Sequence, residues 1–188
     1  MDKSKFYTRV RSRLGSLNQD QVNGFEIILQ AICGAPLSHQ AYMLATAWHE
    51  TNGTMLPVRE AYWLSEDWRR KNLRYYPYYG RGYVQITWER NYRLADAELY
   101  KAGLIKKHEL INDPDVALRP AVAAFCLRKG MEDGWYGSKL RNILPMQGVA
   151  TKQQYMAARK TVNGMDQAEK IEGYAQIFEK ALRDGGLS

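Results

Sequence analysis

The segment SHQAYMLATAWHETNGTMLPVRE, residues 38–60, decides how this chain folds. Its first half carries Ala41, Leu44, Ala45 and Trp48 at helical spacing, the apolar face of a helix running to about Glu50. Ser38 is placed to cap its start. Gly53 and Pro57 then end the pattern, because glycine loosens a helix and proline removes a backbone donor. On one unbroken helix Glu50 and Glu60 would lie about 15 Å apart along the axis. The break lets Glu60 fold back and face Glu50 across a cleft.

Outward from this segment the chain reads as helical on both sides. Phe6, Val10 and Leu14 make a narrow apolar stripe over residues 2–14. Val22, Phe25, Ile28, Leu29 and Ile32 predict a helix from about 19 to 33, stopped by Gly34 and Pro36. Thr87 is expected to cap a helix over 88–102, and Pro120 suits the first turn of a helix over 120–132. Asp166 followed by Glu169 resembles a capping box for a helix over 167–183, whose face is Ile171, Tyr174, Ala175, Phe178 and Leu182. Residues 54–86 are rich in Tyr, Trp, Arg and Gly without helical period, which predicts loops and short strands. The expected fold is mainly α (α+β): one domain over 1–188, a helical shell with a small irregular β region beside the cleft.

Composition limits the rest. The 188 residues are enough for one core without staples, and no apolar run approaches the ~20 residues needed to span a bilayer. Residues 1–25 are polar and basic, without the apolar stretch or cleavage site of a signal peptide, so the chain is expected in the host cytoplasm. Cys33 and Cys126 read as small buried hydrophobes on helix faces, not as a disulfide. His49-Glu50 begins like a zinc-protease HExxH, but Gly53 stands where the second histidine belongs, so no metal is expected. A net charge of +7 calls for an anionic partner: nucleic acid, acidic lipid or a bacterial wall polymer.

The chemistry-bearing residues cluster in AWHET (47–51), VRE (58–60) and YYGRGYVQITWERNY (78–92). Glu50 follows Trp48 at the end of an apolar helix, where burial favours the proton-bearing form and an acid's role. Glu60 follows Arg59 in a polar segment and is expected to stay ionised as a base. Glu66 and Asp67 lie close enough to compete for that role. Gly80 and Gly82 do not complete a GxGxxG phosphate cradle, since residue 85 is Gln. They allow close backbone approach instead, while Gln85, Thr87 and Asn91 offer uncharged hydrogen bonds. Two carboxylates flanking a sugar bond, with neutral hydrogen-bonding groups around them, are the requirements of glycoside hydrolysis.

These motifs, in this order and with TVNG at 161–164, resemble glycoside hydrolase family 19, in particular its phage and prophage endolysin branch. The resemblance runs over about residues 20–182, beyond the basic N-terminal helix of residues 1–14. It implies a lysozyme-like fold and inverting cleavage of β-1,4-linked N-acetylhexosamine chains without a cofactor. By position it implies Glu50 as general acid, Glu60 as general base and Thr87 as the hydroxyl that positions water. His49, Tyr79, Gln85, Asn91 and Asn163 fall at substrate-contacting or neighbouring positions, and Arg81 at a structural one. The short Glu50–Glu60 interval and the two cysteines depart from plant chitinases of the family and agree with the endolysin branch. The implied partner is bacterial peptidoglycan, with acidic wall or outer-membrane polymers as secondary contacts. A holin-type protein would release the enzyme to the wall, and a monomer is expected. The alternatives are a chitinase and, from a different class, a basic module binding nucleic acid or a membrane surface.

Overall fold

Helix α3, Leu37–Glu50, is the buried spine of the protein. Every residue from Leu37 to Ala47 is buried, so this helix is covered on all sides and not only on its apolar stripe. The computed structural model describes residues 1–188. Helices α1 (Lys3–Leu14) and α2 (Gln19–Ile32) precede the spine. After it come strand β1 (Val58–Arg59), α4 (Glu66–Asn72) and strand β2 (Arg81–Gly82). The second half holds α5 (Glu89–Lys101), α6 (Glu109–Asn112), α7 (Pro120–Asp133), α8 (Lys152–Ala158) and α9 (Ala168–Asp184). The architecture is mainly α in one domain, and its only sheet is the antiparallel β1–β2 pair, with Val58 opposite Gly82 and Arg59 opposite Arg81.

Two apolar clusters organise the packing. The larger joins Phe6 and Val10 of α1, Phe25 and Ile28 of α2, the α3 face, and Ile171 and Phe178 of α9. The smaller gathers Ile86, Tyr92, Leu99, Leu110, Val116 and Cys126. Residues 83–86 pass from one to the other, with Tyr83 and Val84 in the first and Ile86 in the second. Helix α1 is docked: Phe6 and Val10 are fully buried, and Lys3 and Arg9 pair with Glu26 and Asp184.

Helix spans follow the hydrophobic periodicity, but several caps differ from expectation. Pro36, not a polar side chain, precedes α3, and Ser38 donates instead to the Pro145 carbonyl at 2.9 Å. Trp88 occupies the cap position of α5 and Thr87 Oγ1 donates to Gln85 O at 2.8 Å. Gln167, in left-handed conformation, starts α9 without a side-chain cap, so Asp166 and Glu169 form no capping box. At α3 and α5 the helix start is tied to residues outside the helix, Ser38 to Pro145 O and Trp88 N to Tyr78 O, which a local pattern does not encode. Helix α4 was hidden among loop-like residues; Ser65 caps it, with Glu66 and Asp67 in the first turn and Arg69, Arg70 and Lys71 in the last. Cys33 is exposed just past α2, correcting the buried reading, whereas Cys126 is buried with its thiol pushed up to about 12 by desolvation.

Gly24 of α2 is where the spine's exit loop lands. A β-carbon there would lie 2.0 Å from the Met55 carbonyl oxygen and 2.8 Å from the Met55 β-carbon. Alanine ordinarily stabilises a helix interior relative to glycine by roughly 1 kcal/mol. At this position the sign reverses: Gly24→Ala is expected to destabilise by about 3 kcal/mol through overpacking, read as a lower urea midpoint.

Candidate active site

The sequence between Glu50 and Glu60 reverses direction through three left-handed residues, Asn52, Gly53 and Met55, with φ of 49°, 77° and 55°. Thr51 starts the reversal, its hydroxyl donating to Ala47 O at 2.8 Å and accepting from Met55 N at 3.1 Å. The Gly53 amide closes the helix end onto Trp48 O at 2.7 Å. Met55 is fully buried against α2, which fixes the loop. Glu60 then leaves β1 with its amide on Gly80 O at 2.7 Å. Both glutamates consequently line one cleft of about 490 Å3, with Gln85, Thr87, Asn91 and Asn163. Tyr75, Val84, Trp88, Tyr136 and Val162 complete its wall.

The two carboxylates are held differently. Glu50 Oε1 accepts from Arg159 Nη1 at 2.9 Å, and the guanidinium is itself buried with Nε on Asp166 O at 3.1 Å. Glu50 therefore sits beside a cation, not in the purely apolar surroundings expected from its helix. Its Oε2 carries no protein hydrogen bond. Glu60 accepts from Tyr75 Oη at 2.6 Å on Oε1 and from Gly80 N at 2.9 Å on Oε2. Burial, the hydrogen bond to Glu60 and the charge of Glu60 push the Tyr75 phenol up to about 12, so it remains a donor at neutral pH. A β-carbon on Gly80 would lie 2.7 Å from Gln85 Oε1 and 3.2 Å from Glu60 Oε2, which is why the backbone can reach the carboxylate only as glycine.

Thr87 spends its hydroxyl proton on Gln85 O and keeps its oxygen as an acceptor facing the cleft. Asn91 Nδ2 donates to Thr87 O at 2.9 Å. Gln85 Nε2 bonds Val58 O and Gly82 O at 3.0 and 3.2 Å, so this amide ties the sheet together as well as lining the cleft. Asn163 lies exposed at the rim.

Two expected contact residues do not reach the cleft. Tyr79 is fully buried, with its hydroxyl on Glu66 at 2.9 Å and the Arg81 guanidinium 3.6 Å from its ring centre. His49 is half-buried behind Glu50; burial, opposed by the Glu50 charge, holds its imidazole below the usual value. Glu66 pairs with Arg69 and Asp67 with Lys71, both away from the cleft, which leaves Glu60 as the carboxylate opposite Glu50. Tyr75, Trp88, Tyr136 and Arg159 were not singled out by sequence. YYPYYGRG concealed Tyr75 among neighbours of equal chemistry, and Arg159 lies far along the chain from its partner.

Arg81 holds the floor of the site. It is buried and donates to Pro77 O, Tyr79 O, Tyr92 Oη and Asp115 Oδ1, the last at 2.8 Å. Asp115 also accepts from Arg59, so one carboxylate reconciles the like-charged Arg59–Arg81 pair across the sheet. Burial pushes Asp115 up, but the hydrogen bonds from Arg59 and Arg81 outweigh it and hold its carboxyl below the usual range. No family model, curated protein or solved structure matches this chain.

Because the folded Asp115 value is depressed, its stabilisation is present above the unfolded carboxylate value of about 4 and lost as pH falls through the folded one. Asp115→Asn is expected to cost about 2 kcal/mol at neutral pH, less than a fully buried pair because the Asp115 side chain is 42% exposed. The variant should also show a flatter loss of stability below about pH 4, measured by denaturant titration across pH.

Proposed function

We propose that this chain is an inverting glycoside hydrolase of bacterial peptidoglycan, cutting the β-1,4 bond between N-acetylmuramic acid and N-acetylglucosamine during cell lysis. The observation that carries this reading is the pairing of Glu50 and Glu60 on one open cleft with a hydroxyl and three amides. Glu50 Oε2, which makes no protein hydrogen bond, is the oxygen that would carry the proton to the leaving group. Glu60, held on both oxygens by Tyr75 and Gly80, would take the proton from water on the other face of the sugar. The acceptor oxygen of Thr87 would hold that water.

No Lys or Arg lines the cleft, so the +7 charge would act at a distance, keeping the enzyme on an acidic polymer. The same lack of lining cations favours a second reading, a chitinase acting on uniform N-acetylglucosamine chains. A basic binding module would need one continuous cationic stripe. Along α1, Lys3, Lys5 and Arg9 are instead paired with Glu26, Asp2 and Asp184.

Digestion of purified peptidoglycan and of chitin oligomers, with mass and anomer analysis of products, tests the reading. The expected result is an inverted reducing end on muramic acid. A retained anomer or an anhydro sugar would overturn the mechanism, and cleavage of chitin alone would favour the second reading. Glu50→Gln and Glu60→Gln should each lower kcat by roughly 10²–10⁴-fold with the fold intact, since glutamine keeps an oxygen for Arg159 or Tyr75. Thr87→Ala should lower kcat about tenfold, the worth of one hydrogen bond. Lysis should slow as salt is added.

A further inference from the structure

Trp88 breaks two local rules at once. Its backbone stands at φ 73° and ψ 137°, a region that glycine enters freely and a bulky side chain enters only under strain. It also fills the cap position of α5, where Ser, Asn, Asp or Gly would serve the helix, and it makes no side-chain cap bond. The conformation is imposed by its surroundings: Trp88 N donates to Tyr78 O at 2.8 Å, and Trp88 O accepts from Asn91 N and Tyr92 N. Core burial does not account for an indole here, because the residue is 45% exposed and belongs to neither apolar cluster. Local strain carried by a large exposed side chain in a cleft points to a ligand.

The ring is braced rather than loose. Tyr75 meets it at 4.9 Å between centroids and 61° between planes, and the Arg74 guanidinium lies 5.0 Å from its centre. Tyr75 is the residue whose hydroxyl holds Glu60, so the indole and the carboxylate are fixed by one side chain. Trp88 lines the cleft one residue after Thr87 and three before Asn91.

We propose that Trp88 is the stacking platform for a pyranose ring bound in this cleft, and that its strained backbone is retained for that purpose. The proposal rests on the glycosidase reading and deepens it. An aromatic face takes the C–H face of a sugar while the amides and the hydroxyl take its edges. Trp88 is a specificity residue here, and it reaches the reaction only by placing the sugar beside Glu60.

The test uses Trp88→Gly and Trp88→Tyr in the full chain. Calorimetry on the Glu50→Gln background, well below the melting temperature, measures binding of muramic-acid-containing and chitin oligosaccharides. The expected result is that Trp88→Gly holds or raises the melting midpoint, because glycine relieves the strain, while binding weakens roughly ten- to thirty-fold. Trp88→Tyr should retain most of the binding. A lower midpoint for Trp88→Gly would mark the indole as structural and overturn the assignment. Unchanged binding in Trp88→Gly, with the Glu50→Gln parent binding normally, overturns the platform and leaves the glycosidase reading standing. If the parent binds no oligosaccharide at all, both fall.

Discussion

The contact on which this structure depends is the seating of Met55 against Gly24. Helix α3 must end and the chain must return within ten residues for Glu60 to oppose Glu50. That return passes through Asn52, Gly53 and Met55 in left-handed conformation, each costly for a residue with a side chain except the glycine. Such a loop persists only where something outside it over-determines the shape. The missing side chain of Gly24 provides the space, and the fully buried Met55 provides the anchor. The site is thereby tied to the main core through backbone packing, and its geometry is inherited from α2 and α3 rather than from the loop itself.

The opposite wall is organised on a different principle. There the apolar cluster is small, and polar groups carry the order. Arg81 gathers two carbonyls, a phenol and a carboxylate, and so braces the β1–β2 pair from which Glu60 leaves. Buried charge of this kind is costly to desolvate, so it adds specificity of arrangement more than stability. With one cleft wall built on apolar packing and the other on hydrogen bonds, substrate contact would be expected to disturb the second more easily.

Much of the fold was legible in residues 38–60 and in the apolar stripes of the long helices, because burial imposes periodicity directly on sequence. The start of α7 at Pro120 and the capless ends of α3, α5 and α9 show the boundary of that legibility. Proline at a first turn acts locally and predictably, whereas Pro36, Trp88 and Gln167 stand at helix starts with no side-chain cap to announce them. The site divides in the same way. Glu50, Glu60, Thr87, Asn91 and Asn163 could be named from residue type and order, and all five line the cleft. Tyr79 could not be told from Tyr75 by sequence, since both stand in one tyrosine-rich run, each beside another tyrosine. Only the fold shows one supporting Arg81 and the other holding Glu60. Arg159 was invisible because a charge pair across 109 positions leaves no local trace.

A basic chain with an acidic polymer as its proposed substrate would be expected to line its cleft with Lys and Arg. None lines the cleft; of the guanidiniums that touch its lining, Arg159 is spent on Glu50 and Arg74 lies over the Trp88 ring. An unpaired cation there would compete with a sugar's transition state for both carboxylates and would fix the enzyme to any anion in reach. On the proposed reading, positive charge outside the cleft would separate two tasks: long-range attraction through net charge, and recognition through short-range neutral hydrogen bonds and an aromatic face. Salt would then weaken the proposed attraction to an acidic polymer without altering the proposed hold of the cleft on a sugar.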